Sequence, residues 1–267
     1  VLPPGRSKLS ASSLSTFLKS PKAFYYRHVR QIEPITQSIQ DFAHDRLLGI
    51  IWSEAVDRFY KGVPEKDNTA QTLKDWQEQT EGWVPPKILD KYTRALENWL
   101  NVYHQEFTPT DGMRNGSEKK IENDRFIGYL DGLSHDGKLI HECKTTKKAQ
   151  QLSEQLLKYQ TSLQVKLYAV MTQAEGVVIE IAFKEPPYGI HRAKVYEFTP
   201  TQLKEWEQQL NALADRIYSL GDDPNNYLCC ADNCSIISPY MTSICPFQSL
   251  CHGIPGATIG FKPKTRR

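Results

Sequence analysis

A mixed central β-sheet flanked by helices, an α/β architecture, is predicted by three observations. Amphipathic helical spacing fills the first 110 residues. Short strand-like runs separated by turn residues follow. Helix and strand then alternate to about residue 220. No linker divides the 267 residues, so one domain is expected. It has a helical part over 1–110, a core over 111–220 and a cysteine-rich segment over 221–267. With 39% hydrophobic and 24% charged residues, a collagen-like or disordered chain is excluded. Net charge is +2, so any basic binding surface must be local.

The elements follow in order. In LSASSLSTFLKSPKAFYYRHV, serines suited to N-capping precede Leu14, Phe17 and Leu18 at helical spacing. Pro21 interrupts the pattern, and a second helix begins near Lys22. Phe42, Leu47, Leu48, Ile51, Ala55, Val56 and Phe59 mark a long helix over 38–60. Residues 61–69 are polar and read as loop. Helices are expected over 70–81 and 87–107, and 109–117 is rich in turn residues. Strand character appears at Ile121, over 126–133 and over 138–145, and one helix is expected over 149–172. VVIEIAF and AKVYEF are strands around a turn with Pro186, Pro187 and Gly189, and the last helix covers 201–220. No run of about 18 apolar residues exists. VLPPGRSKLSASS lacks an apolar signal core, so a cytoplasmic location is expected.

The chemistry concentrates in GYLDGLSHDGKLIHECKTTKK, residues 128–148. Side chains alternate faces along a strand, so Glu142 and Lys144 share one face and His141 and Cys143 the other. Asp131 on the neighbouring strand can reach the first face. Two convergent carboxylates make a hard-oxygen site for Mg²⁺ or Mn²⁺. An ammonium beside them can hold a water or stabilise charge on a phosphoryl oxygen. Together they could support metal-assisted phosphodiester hydrolysis; a salt-bridged sheet edge is the plainer alternative. Lys22, Tyr25, Tyr26 and Arg27 mix cations and aromatics at helical spacing, which suits a single strand with stacked bases. Lys147 and Lys148 add positive charge beside the acids. An ordinary amphipathic helix with buried tyrosines is the alternative for the first group.

GYLDGL followed by LIHECKTTKK resembles the active-site hairpin of the PD-(D/E)XK nuclease superfamily. Four further stretches resemble its RecB/AddB-type branch, which includes the CRISPR-adaptation exonucleases: LSASSLSTFLKSPKAFYYRHV, GIIWSEAVDRFY, QVKLYAVM and CPFQSLC, in that order. The resemblance implies a restriction-endonuclease-like core. Asp131, Glu142 and the backbone carbonyl of Cys143 would bind Mg²⁺ or Mn²⁺, Lys144 would be the catalytic lysine, and Gln164 and Tyr168 would border the site. Glu118 stands where relatives often carry another acid, with Glu122 as its competitor. The implied activity is DNA exonuclease action in recombination, repair or phage replication, with little sequence specificity. The alternatives are a catalytically impaired DNA-binding module of the same fold and a restriction-type endonuclease. Any helicase or recombination partner is left open by the sequence.

Two positions depart from that pattern. Ser53 stands where the first motif helix usually carries a metal-binding histidine, and Glu54 is adjacent but about 100° around the helix. Ser20 stands where many relatives carry the first cysteine of an iron–sulfur cluster. Cys245 and Cys251 fit the C-terminal cysteine pattern, and Cys230 or Cys234 could complete it. A [4Fe–4S] cluster, a zinc ion or unliganded cysteines all remain open for these residues.

Overall fold

The fold is described from a computed structural model, which covers residues 8–34, 40–109, 119–147, 152–193, 196–228, 247, 250 and 261–263. Its helices are α1 (Ala11–Lys19), α2 (Pro21–Phe24), α3 (Gln40–Tyr60), α4 (Glu65–Thr80), α5 (Pro86–Glu106), α6 (Leu152–Gln160), α7 (Leu163–Thr172) and α8 (Pro200–Ser219). Its strands are β1 (Ile32–Pro34), β2 (Lys119–Glu122), β3 (Ile127–Leu130), β4 (Gly132–Leu133), β5 (Leu139–Thr146), β6 (Gly176–Phe183), β7 (Ile190–Arg192), β8 (Tyr196–Glu197) and β9 (Phe261–Pro263). Among the described residues, no helix is long and apolar enough to cross a membrane.

The chain forms two compact units. One comprises residues 1–37, 122–127 and 207–267; the other comprises 38–121 and 128–206. In the first unit, Ser10 caps α1 and exchanges hydrogen bonds with Ser13. Ser20 closes α1 and opens α2, its side chain accepting from the Ala23 N–H at 3.2 Å. The helix then widens into a π-turn over Tyr25–Val29. Leu9 pairs with the 125–127 segment through backbone bonds of 2.8 and 3.0 Å. Strands β1 and β9 pair antiparallel.

The second unit holds a five-stranded sheet in the order β4-β5-β6-β7, with β8 also on β6. Pairs β5 and β6 run parallel and the others antiparallel, so the sheet is mixed. A parallel pair needs a crossover, which α6 and α7 supply. Every residue of β6, GVVIEIAF, is buried, as a central strand covered on both faces requires. Helices α3, α4 and α5 pack their aromatic stripes together, with Trp52, Phe59, Trp76, Tyr92, Trp99 and Tyr103 in one core. The Trp99 indole N–H donates to the Phe183 carbonyl at 3.0 Å, fastening α5 to the end of β6.

Several elements differ from the sequence expectation. Strands β1 and β9 lie outside it, the strand expected at AKVYEF is β7 at Ile190–Arg192 with a short β8 at Tyr196–Glu197, and three further differences have a local cause. Helix α4 starts at Glu65, inside the stretch expected to be loop; Glu65, Lys66 and Asp67 are exposed there, but Asn68 and, one turn on, Thr72 are buried and anchor the helix. Asn68 donates to the Ala55 carbonyl at 3.0 Å and accepts from Arg58 Nε at 2.9 Å, while Thr72 accepts from the same guanidinium at 2.7 Å. The single helix expected over 149–172 is two helices, because the Ser162 side chain accepts from the Val165 N–H and caps a new start. The strand expected over 126–133 is broken at Asp131.

Candidate active site

Asp131 sits in the break between β3 and β4. Its Oδ2 accepts from the backbone N–H of Cys143 at 2.9 Å, which ties the break to β5. On β5, Glu142 and Lys144 share a face. Lys144 Nζ lies 2.5 Å from Glu142 Oε2 and 3.5 Å from Asp131 Oδ2, so one ammonium bridges two carboxylates. From α7, Gln164 Nε2 donates to the two Glu142 oxygens at 3.2 and 3.1 Å and lies 3.4 Å from the Tyr168 hydroxyl. The Tyr168 hydroxyl accepts from the Tyr129 N–H at 3.3 Å. The cap at Ser162 starts α7 so that Gln164 and Tyr168, one turn apart, both face the strand pair.

Gly128 leaves room for this arrangement. A Cβ there would stand 2.4 Å from the Tyr168 ring, closer than atoms can approach. Gly128→Ala should therefore push Tyr168 off β3. It should cost about 1–3 kcal/mol in stability, and a displaced hydroxyl should lower turnover up to about a hundredfold. Chemical denaturation and a turnover assay check both; wild-type values in each would show that the ring yields without consequence.

Glu142 is 1% exposed. Burial, reinforced by the Asp131 charge, pushes its carboxyl up to about 7, although Lys144 pulls the other way. For Lys144, burial works against the charged form, but Glu142 and Asp131 outweigh it and hold the ammonium protonated. Burial and the nearby Glu142 push the Tyr168 phenol up to about 12, so it stays neutral. The stability consequence of Glu142 has a definite sign. Folded protein keeps a proton on this carboxyl between its ordinary 4.5 and about 7, where the unfolded chain has lost it. Stability in EDTA should therefore fall as pH rises from 4.5 to 7 and then level off. Urea midpoints across that range measure the slope. A slope unchanged by Glu142→Gln would assign it elsewhere.

A cleft of about 620 Å³ opens beside the cluster. Asp131, Lys144 and Thr145 line it from the sheet, Ser53 and Glu54 from α3, and Tyr159 from α6. These residues all belong to the second unit.

The family model for the PD-(D/E)XK nuclease superfamily matches residues 8–252. The chain belongs to the PD-(D/E)XK nuclease superfamily. Two solved structures are similar in outline. One, described as a "Putative exonuclease" from Eubacterium rectale, is 11% identical over 82% of this chain and 84% of that one, with a TM-score of 0.49. The other, a phage related exonuclease from Haemophilus somnus 129PT, is 13% identical over 58% and 81%, with a TM-score of 0.36. Among curated proteins no significant match occurs.

PD-(D/E)XK nucleases act on nucleic acid and generally use divalent metal ions. The donor set here fits such an ion. Asp131 and Glu142 offer hard carboxylate oxygens that converge on one ammonium. A buried carboxyl raised to about 7 is also what a site looks like before a cation offsets its charge. On the opposite face of β5, His141, Cys143 and Glu180 bring three further donor atoms within 4.8 Å of one another. There, however, Glu180 Oε2 is already engaged by Arg192 Nε at 3.2 Å and the Tyr103 hydroxyl at 3.0 Å, and His141 Nε2 lies 3.5 Å away. A guanidinium on the same oxygen favours an ion-pair network over a second cation. This network was not singled out from the sequence, although Glu180 is the one charge in an otherwise apolar strand.

The remaining sequence candidates fall as follows. Lys147 is exposed just after β5. In the first unit, Lys22 Nζ donates to the Pro224 carbonyl at 2.5 Å and Arg27 is exposed. Tyr25 and Tyr26 depart from the base-stacking expectation. Tyr25 is buried, its ring 5.0 Å from Tyr227; Tyr26 stacks on Phe247 at 5.8 Å and donates to the Leu250 carbonyl. Their apolar faces are spent on packing, as the amphipathic alternative holds. Glu118, Lys148, Cys230, Cys234, Cys245 and Cys251 lie outside the described residues.

Proposed function

We infer that this nuclease is a metal-dependent deoxyribonuclease that trims DNA as an exonuclease, in the cytoplasm, during recombination, repair or phage replication. The observation that carries the reading is the convergence of Asp131, Glu142 and Lys144 at the edge of a cleft. Asp131, Glu142 and the Cys143 carbonyl would hold Mg²⁺ or Mn²⁺. Such an ion, when bound, neutralises phosphate charge and acidifies water. Lys144 holds the attacking water and faces the negative charge that grows on the phosphoryl oxygens. Gln164 keeps the Glu142 carboxylate oriented through paired hydrogen bonds. Tyr168, neutral and anchored to the Tyr129 N–H, braces Gln164 and can donate its own proton to a phosphate oxygen.

End-labelled DNA incubated with Mg²⁺, Mn²⁺ or EDTA tests this. Metal-dependent release of short products from an end is expected; a discrete ladder from plasmid would favour the endonuclease instead. Folded protein that binds DNA and cuts none of these substrates would move the reading to a binding module. The presence of Ser53, a poor metal ligand, in the cleft wall would then be the explanation.

A further inference from the structure

We propose that Lys144 is a built-in competitor for the cation position of its own site: in the resting nuclease its ammonium fills the point where Asp131 and Glu142 converge, and a divalent ion displaces it into the cleft. This rests on the nuclease reading and adds to it how the metal site is loaded and which cations it admits.

The first observation is position. Lys144 Nζ stands 2.5 Å from Glu142 Oε2 and 3.5 Å from Asp131 Oδ2. A Mg²⁺ shared by those two carboxylates needs an oxygen of each at about 2.0–2.1 Å. An ammonium already within ion-pair distance of both oxygens fills that point. Two cations so close together repel strongly where little water screens them. Ammonium and metal therefore exclude each other between these acids.

The second observation is which partner can move. Glu142 is buried, and its two oxygens accept from Gln164 Nε2 at 3.2 and 3.1 Å. Asp131 Oδ2 accepts from the Cys143 N–H at 2.9 Å. Both carboxylates are thus fixed by groups other than the lysine. Lys144 reaches them on a flexible four-carbon stem. Its side chain lines the cleft and is 21% exposed, so it has open space to swing into. Once displaced, the ammonium faces a substrate phosphate instead of the acids. The third consideration is charge. A free monovalent cation has no charge advantage over an ammonium already tethered at the site, so it is kept out. A divalent ion attracts each carboxylate twice as strongly at the same distance. The lysine therefore selects for charge, and it turns to substrate only in a site already loaded.

The test is Mn²⁺ titration of the full chain followed by electron paramagnetic resonance. It compares the parent with Lys144→Met and with Lys147→Met, which removes the same charge from an exposed position just after β5. Lys144→Met should bind Mn²⁺ about tenfold more tightly than the parent or better. Lys147→Met should stay within about twofold of the parent, because solvent screens its charge. Mn²⁺ should also restore the melting temperature that Lys144→Met loses without metal. In a crystal of the parent soaked in Mn²⁺, Lys144 Nζ should lie beyond hydrogen-bonding distance of both carboxylates; this arm decides the matter if the variant does not fold. Parental or weaker Mn²⁺ binding by a folded Lys144→Met, an equal gain in Lys147→Met, or an ammonium still between the acids beside bound Mn²⁺ would overturn the proposal. The two readings fail separately. DNA cleavage in Mn²⁺ with an unmoved ammonium retains the nuclease and overturns the displacement. A displaced ammonium in a protein that cuts no DNA retains the displacement and overturns the nuclease reading.

Discussion

Glu142→Gln is expected to lower phosphodiester cleavage by about a hundred- to ten-thousand-fold while leaving the metal-free protein as stable as the parent or more so. The substitution keeps the shape of the side chain and an acceptor for Gln164, which now donates to Glu142. It removes the buried negative charge. Above pH 7 the parent must hold that charge in a site where burial and Asp131 together outweigh the attraction of Lys144. The amide has no such cost, so in EDTA at pH 8 its melting temperature should match or exceed the parent's. Added Mg²⁺ or Mn²⁺ should stabilise the parent through binding and the variant much less. The combination is diagnostic, because a purely structural carboxylate would lose stability when replaced and would leave the metal response unchanged. A variant that cuts DNA at the parent's rate would remove Glu142 from the proposed mechanism. Lys144→Met should abolish cleavage similarly. It should also destabilise, because it leaves Glu142 and Asp131 facing each other without the ammonium between them.

The largest stability effect is expected on the other face of β5. Arg192→Met should cost about 3–5 kcal/mol, the usual penalty for leaving one member of a buried ion pair uncompensated. For a chain of this size that is a drop of about 6–20 °C in melting temperature. Glu180 is fully buried, yet its carboxyl is held below its ordinary value. Burial alone would raise it, but hydrogen bonds and charge from His141, Arg192 and Tyr103 reverse the sign. Stability from this group is thus present at neutral pH and lost as pH falls through its folded value. Arg192 also donates to the Tyr60 and Tyr103 hydroxyls at 2.8 and 3.1 Å and stacks 3.7 Å over Phe107, so it joins three elements. The double variant Arg192→Met with Glu180→Gln should recover part of the loss, since neither charge is then stranded. Additive losses in that cycle would show that the two residues act independently.

Much of the candidate site's geometry was legible from alternation. Placing Glu142 and Lys144 on one side of a strand and His141 and Cys143 on the other needs only the two-residue period of extended backbone. The folded strand obeys it, with the first pair meeting Asp131 and Gln164 and the second meeting Glu180. Helix existence was equally legible where the apolar stripe is long, as in α3 and α5. Boundaries were not. Asn68 looks like a loop residue because polarity is the only local signal it gives; its burial against Arg58, with Thr72 beside it, depends on a partner helix. Ser162 is one serine among several until its hydroxyl is seen to cap Val165.

Local chemistry in the chain, then, determined which residues could form strands and helices, the facing of Glu142 with Lys144, and the match to a nuclease superfamily. Those properties depend on neighbours a few residues away. The fold decided what depends on distance in space. It bent the chain at Asp131 so that the acid meets the Cys143 amide, and it buried Glu142 deeply enough to raise its carboxyl. It spent Tyr25 on packing against Tyr227, and it brought Glu180 to Arg192 across β6 and β7. Burial and electrostatic coupling are sums over everything within a few ångströms, and most of those neighbours lie far away along the chain.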